Sequence, residues 1–227
     1  IPKVRIALVG LGNRGTKTLV RYAFIGNAEI SCIVDVDSQR LARANKLLRD
    51  SHRKEALTLC GPDAWKEACQ LPDIDLIYIC TEWRTHTLMA VHAMRCGKHV
   101  AVEVPAATTV EECWLLVHTA EQTRRHCFMT ENCCYDYFAL EAVEMPRRGL
   151  FGEITHCEGA YIHDLSTDNE CGEGNTSWIE RGCLTHGGNP YPTHGIGPIG
   201  QLLGFHRTDR MLRLVSMTSA GAKEAGL

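Results

Sequence analysis

Val4-Arg5-Ile6-Ala7-Leu8-Val9-Gly10-Leu11-Gly12-Asn13-Arg14-Gly15 decides the fold. Val4 to Val9 is a largely apolar run of the kind that forms a buried parallel strand, and a Gly-x-Gly-x-x-Gly turn follows it directly. Each glycine answers a separate physical need. Gly10 makes the tight turn, Gly12 lets the backbone reach a pyrophosphate, and Gly15 lets the next helix pack close to the sheet. The pyrophosphate then sits on N–H groups at that helix's N-terminus. A second apolar stretch, Ile30 to Val34, ends in Asp35 about twenty residues past the last glycine. A carboxylate there accepts hydrogen bonds from the adenosine ribose hydroxyls and repels a 2′-phosphate, so NAD is the expected cofactor rather than NADP. A glycine-rich turn that binds nothing is the competing reading. The strand before, the helix after and the acid at this distance weigh against it.

Outward from this motif, strand and helix patterns alternate, which is the signature of a doubly wound α/β domain. Asp37 or Ser38 caps a helix running to about Asp50, and Gly61-Pro62 opens another by placing proline at its first position. Ile74 to Cys80 reads as a buried strand, Thr85 to Cys96 as a helix closed by Gly97, and His99 to Glu103 as a strand ending before Pro105. Thr109-Val110-Glu111-Glu112 is a capping box for a helix to about Arg125, and Cys127 to Glu131 completes the sheet. The expected domains are therefore a Rossmann domain over 1–131 and a second α/β domain over 132–227.

The second domain carries weaker signals. An amphipathic segment from Asp136 to Arg148 ends at Gly149, and Gly152 to Asp164 and Met211 to Met217 read as strands. Between them lies a polar, glycine-containing stretch, Ser166 to Gly188, and loops of that length in compact domains are usually functional or disordered. A domain ending after two recognisable strands is expected to be truncated, and Ile1 in place of Met points to a trimmed N-terminus.

Bulk properties exclude several classes. The 227 residues carry a net charge of −3, with 44% hydrophobic and 22% charged residues, which is ordinary for a globular protein. No basic stretch interleaved with aromatics offers a nucleic-acid face, and no apolar run approaches the roughly 18 residues of a membrane span. A soluble protein is expected, with the compartment, cytoplasmic or exported, left open. The 12 cysteines are scattered without a C-x-x-C pair and read mostly as reduced thiols. The densest group, Cys127, Cys133 and Cys134 with His126, reads as core packing, so no metal is expected.

Taken together, several runs resemble the Gfo/Idh/MocA oxidoreductase superfamily and, within it, glycoside hydrolase family 109, the NAD-dependent α-N-acetylgalactosaminidases. They are Gly10–Gly15, Trp83-Arg84-Thr85-His86, Gly97 to Ala107, Glu131-Asn132-Cys133-Cys134-Tyr135, Glu158 to Asp164, and Tyr191-Pro192-Thr193-His194-Gly195. The resemblance implies a Rossmann domain joined to an α/β domain with an open sheet, in a bacterial hydrolase of carbohydrate metabolism. Typical dehydrogenases of the superfamily carry Glu-Lys-Pro after the fifth strand. Here the lysine position is Val104, which moves no proton. The activity implied is hydrolysis of terminal α-linked N-acetylgalactosamine from a small molecule or glycan by a redox cycle. In that cycle a hydride leaves C3 of the sugar, a base takes the acidified C2 proton, the C1 bond is eliminated, water adds, and hydride returns.

The resemblance also distributes roles. Gly10, Gly12, Asn13, Arg14 and Gly15 belong at the pyrophosphate, Asp35 at the ribose, Trp83, Arg84, Thr85 and His86 along the cofactor, and Glu103, Val104 and Asn132 near its nicotinamide end. Tyr191 and His194 are the expected catalytic pair, because Tyr-x-x-His on a first helical turn puts both on one face. An imidazole that titrates near neutrality suits the C3 hydroxyl, and Tyr191 and Tyr135 remain alternatives for the C2 proton. Tyr161, Tyr191, Pro192, Thr193 and His194 are expected against substrate, with His163 beside them. The chain departs from the family pattern at Ile179 and His186, where arginine is usual; Arg181 is displaced by two residues from the first. The alternatives are a net oxidoreductase on sugar or inositol, an inactive cofactor-binding fragment, and a conventional glycosidase using Glu153, Glu158, Asp164 or Asp168. Superfamily members often pair through the second domain's sheet, which leaves a homo-oligomer open.

Overall fold

The structure is a computed structural model that describes residues 3–22, 24–162, 189 and 191–217. The chain divides into two compact units, Ile1–Thr130 and Glu131–Leu227.

The first unit is a six-stranded sheet, all parallel, in the order β3-β2-β1-β4-β5-β6. Its strands are β1 (Val4–Val9), β2 (Ala28–Asp35), β3 (Leu57–Cys60), β4 (Leu76–Ile79), β5 (His99–Val102) and β6 (Cys127–Met129). They alternate with α1 (Asn13–Tyr22), α2 (Ser38–Asp50), α3 (Ala64–Gln70), α4 (Trp83–Arg95) and α5 (Val110–Thr123). Strand order reverses between β1 and β4, so the loops leaving those two strands flank the crevice where open α/β sheets take ligands.

Both faces of this sheet are covered, as a parallel sheet requires. Ala7, Val9, Cys32, Val34, Ile77, Ile79, Val100 and Val102 pack on one side with Trp65, Met89 and Met94. Ile6, Leu8, Ile30, Ile33, Tyr78 and Ala101 pack on the other with Leu19, Leu41 and Leu48. Along β2 the alternation breaks, because Ile6 pairs with Ile30 and Ala7 with Cys32. Ser31 is the extra residue of this bulge, which turns Cys32 and Val34 to the face opposite the one their distance from Ile30 dictates.

The capping residues do what their chemistry dictates. Asp37 accepts from the Gln39 N–H at the start of α2, and Thr109 accepts from the Glu112 N–H at the start of α5 while the Glu112 carboxylate returns to the Thr108 N–H. One element is added here and one expectation corrected. The strand β3 has no signal in the sequence reading: it is four residues long on the sheet edge, and Leu57 is half-exposed, so neither periodicity nor hydrophobicity marks it. The helix after Gly61-Pro62 starts at Ala64 with Asp63 as its cap, leaving Pro62 outside rather than at the first helical position.

The second unit opens with a 3-10 turn, Asn132–Cys134, followed by α6 (Tyr137–Arg147) and, further on, α7 (Pro192–Leu203). The strands expected over Gly152 to Asp164 and Met211 to Met217 are not formed among the described residues, 152–162 and 211–217. Alternating apolar residues prescribe a face for a strand but supply no partner for its N–H and C=O groups, and a strand without a ladder is only extended chain. Ile162, Leu212, Val215 and Met217 stand exposed accordingly. Ser166 to Gly188, with Ile179, Arg181 and His186, lies outside the described residues, as do His163, Asp164 and Asp168.

Candidate active site

In the first unit the glycine turn is held by its neighbours. The Gly10 N–H donates to the Val34 carbonyl at 2.8 Å, and the Leu11 N–H donates to Asp35 Oδ2 at 2.6 Å. Gly10 has a φ of +89°, and a Cβ there would fall 2.7 Å from the Cys80 carbonyl oxygen. A Cβ at Gly15 would lie 1.8 Å from the Gly10 carbonyl oxygen, so α1 sits against the turn only because that position is bare. Gly12 is different: a Cβ there meets nothing within 4 Å, which leaves open space on the ligand side of the turn. A cradle closed behind and open in front fits a dinucleotide's pyrophosphate.

Asp35 is 7% exposed; its Oδ1 accepts from the Asp37 N–H at 2.9 Å and lies 3.8 Å from Arg40 Nη1. Its carboxylate therefore fastens the turn to the end of β2. Arg14, expected at the pyrophosphate, and Glu103, expected near the nicotinamide end, are brought together: Arg14 Nε lies 3.1 Å from Glu103 Oε2. The Tyr78 hydroxyl donates to the other Glu103 oxygen at 2.8 Å. Burial and the Glu103 charge push the Tyr78 phenol well above its ordinary value, so it stays a donor. Val104 is buried beside them.

Trp83 and Arg84 begin α4, with Trp83 buried and Arg84 exposed beside Glu82 at 3.2 Å. Thr85 donates to the Glu82 carbonyl at 2.8 Å. His86 is only 1% exposed, and its ring nitrogens face the Pro105 carbonyl at 2.8 Å and the Thr81 carbonyl at 3.0 Å. It joins the loops after β4 and β5, holding the crevice wall from behind.

In the second unit, Tyr191 caps α7 and Pro192 occupies the first turn, so His194 follows on that turn and its N–H donates to the Tyr191 carbonyl at 3.2 Å. The Tyr191 and His194 rings stack at 5.2 Å between centroids. Tyr161 closes on both, 4.5 Å from His194 and 5.9 Å from Tyr191, the latter edge-on. Helix α7 comes this close because the glycines on both sides of the contact are bare. A Cβ at Gly159 would fall 2.6 Å from the Gly195 carbonyl oxygen, and one at Gly197 would fall 2.8 Å from Cys134 Sγ and 3.1 Å from Glu131 Cγ.

That approach delivers a residue to which sequence reasoning gave no role. Glu131 Oε1 lies 2.6 Å from His194 Nδ1, and both side chains are buried. Burial acts to raise the Glu131 pKa, but the Thr193 hydroxyl, the His194 ring and the Cys133 N–H overcome it and hold the carboxyl below its ordinary value. The carboxylate is thus the acceptor and His194 Nδ1 the donor of this contact. Oε2 is buried without completing a hydrogen bond, although the Thr193 hydroxyl stands near enough to favour the charge. The available signal was position: an acid at the C-terminal end of a strand pattern.

Tyr135 follows the 3-10 turn and is 70% exposed, and Asn132 is exposed at the start of that turn. The Cys133 sulfur lies with donor atoms of Glu131 and His194, all within 4.8 Å of one another, and Cys134 beside it is buried. His126 stacks on His99 at 5.1 Å. No helix among the described residues is long and apolar enough to cross a membrane.

Residues 4–131 match the family described as "Oxidoreductase family, NAD-binding Rossmann fold", and residues 135–226 match "Glycosyl hydrolase 109, C-terminal domain". Among similar proteins, an alpha-N-acetylgalactosaminidase of Bacteroides fragilis is 53% identical over 226 residues, covering 98% of this chain and 53% of the relative. A glycosyl hydrolase family 109 protein of Phocaeicola vulgatus is 51% identical, covering 100% of this chain and 55% of its own length. The chain thus spans about half the length of the curated relatives it matches. Of solved structures, an NAD-binding protein from Listeria innocua superposes with a TM-score of 0.62 at 20% identity over 88% of this chain and 54% of that one. Scyllo-inositol dehydrogenase from Lactobacillus casei, with bound NAD(H) and scyllo-inositol, gives 0.59 at 22% identity over 67% and 43%. These last two establish the fold alone. An all-parallel sheet in this strand order, a bare-glycine turn leading to Asp35, and both family matches place the chain in the Gfo/Idh/MocA oxidoreductase family, in its glycosyl hydrolase 109 branch.

Proposed function

We propose that this chain carries the NAD site and the acid–base pair of a glycosidase acting on terminal α-linked N-acetylgalactosamine. The observation that carries the proposal is the buried Glu131–His194 pair, with the Tyr191 ring stacked on His194 and the Tyr161 ring tilted against it. Conventional glycosidases need two carboxylates flanking the scissile bond. Here the one buried carboxylate of the cluster is spent on orienting an imidazole, the arrangement of a hydroxyl-deprotonating base.

Gly12, Asn13, Arg14 and Asp35 would hold NAD, with Trp83 to Thr85, Glu103 and Val104 along its length. When bound, NAD supplies reversible hydride exchange at C3 of the sugar. His194 takes the C3 hydroxyl proton at Nε2 while Glu131 keeps Nδ1 oriented, and it returns the proton when the hydroxyl is restored. Tyr191, stacked on that ring, is the better candidate to exchange the C2 proton; Tyr135 is far more exposed. Loss of the C2 proton expels the C1 substituent, and water then adds at C1. Tyr161 supplies an aromatic wall for the sugar, while Thr193 acts through Glu131. Val104, at the position where dehydrogenases carry lysine, contributes apolar packing and no proton transfer, which weighs against a net sugar oxidoreductase.

The test is incubation with p-nitrophenyl α-N-acetylgalactosaminide in D2O with NAD. Nitrophenol release with deuterium at C2 of the product and no net NADH is expected. Release without deuterium, or NADH accumulating with turnover, overturns the proposal.

A further inference from the structure

We propose that Glu131, Cys133 and His194 form a binding site for a zinc-class divalent cation. A carboxylate oxygen, a thiol sulfur and an imidazole nitrogen, all within 4.8 Å of one another, are the donor types that tetrahedral zinc and cobalt sites use. The thiol disfavours magnesium or calcium, which take oxygen ligands.

The geometry needs little adjustment. With bonds of about 2.0–2.3 Å to oxygen, nitrogen and sulfur, tetrahedral ligand atoms sit roughly 3.3–3.6 Å apart. Glu131 Oε1 and His194 Nδ1 are now 2.6 Å apart with a proton between them. A cation replacing that proton would open the pair by less than about 1 Å. Glu131 Oε2 is buried and completes no hydrogen bond, with the Thr193 hydroxyl beside it, so the carboxylate can turn to a cation without breaking one. The frame is rigid, because α7 is pressed onto the 3-10 turn at the bare Gly197, and Glu131 Oε1 also accepts from the Cys133 N–H at 3.0 Å. Three protein donors leave a fourth position for water or another ligand, as in open zinc sites.

A cation on the Nδ1 lone pair leaves the hydrogen on Nε2, the atom that the proposed acid–base role needs free to take a proton, so zinc would inhibit hydrolysis. That consequence rests on the proposed function; the site itself does not.

The experiment is titration of the full chain with Co2+ under a phosphine reductant, following the thiolate-to-cobalt charge-transfer band, with p-nitrophenyl substrate assays run in parallel with Zn2+. One equivalent of Co2+ should raise the band and Zn2+ should bleach it. Cys133→Ser should abolish it and His194→Ala should weaken binding at least about tenfold, while Cys113→Ser, an exposed thiol on α5, should leave it intact. Circular dichroism of each apo variant checks that it is folded, and Glu131→Gln stands in for any that is not. A band that survives Cys133→Ser, or no band at all, overturns the site. A band without inhibition by Zn2+ upholds the site and overturns the catalytic role given to His194.

Discussion

Gly12 and Gly15 sit three residues apart in one motif, yet the backbone around them asks for glycine on different grounds. A methyl at Gly15 drives into the Gly10 carbonyl, whereas one at Gly12 meets only open space. Gly15→Ala is therefore expected to destabilise the first unit by about 1–3 kcal/mol in denaturant titration, the range of forced overpacking. Gly12→Ala should change stability little but weaken NAD binding at least about tenfold, read by cofactor fluorescence, because the methyl occupies the pyrophosphate's approach. Equal loss of stability in both variants would contradict the assignment. Glu131 is the other residue whose environment decides its role. Glu131→Gln keeps the shape but presents no carboxylate to Nδ1, so kcat should fall about 10²–10⁴-fold with NAD affinity unchanged. An unchanged kcat would remove Glu131 from the mechanism.

Among the elements, β1 and β4 are joined at their starts by charge as well as by their ladder. Arg5 presents Nε and Nη2 to both oxygens of Asp75, at 3.0 and 2.8 Å, and its N–H also donates to Asp75. The Arg5 hydrogen bond leads the causes that lower the Asp75 pKa to about 2, against the opposing effect of burial. A carboxyl depressed in the folded state stabilises it above the unfolded value, and that contribution is lost as pH falls from about 4 towards 2. Asp75 is more than a third exposed, so solvent screens part of the effect. Asp75→Asn is expected to lower the midpoint of thermal unfolding at neutral pH and to flatten its decline over that acid range. A decline as steep as in the parent would show that other carboxylates carry it.

At the scale of the whole chain, the two units differ in how they are held together. Both apolar clusters belong entirely to the first unit, which covers each face of its sheet by itself. In the second, Cys134 is the only buried apolar residue among those described, while Phe138, Ile162, Leu212 and Met217 are exposed. Residues 1–130 expressed alone should unfold cooperatively and bind NAD without hydrolysing the nitrophenyl substrate, and residues 131–227 alone should show no cooperative transition by circular dichroism. A sharp transition in the second fragment would locate a core among residues the structure does not describe.

By itself the sequence determined the parts that are local. Strand, glycine turn, helix and terminal acid from Val4 to Asp35 are legible because backbone sterics and side-chain periodicity act over a few residues. The Tyr-x-x-His spacing is legible for the same reason. Tertiary structure alone decided what depends on approach between distant segments: the edge strand β3, the pairing of Arg14 with Glu103, and the contact of Glu131 with His194, 63 residues apart. It also left Gly152 and Met211 to begin extended segments without a ladder, since periodicity names a face and only another strand supplies the hydrogen bonds.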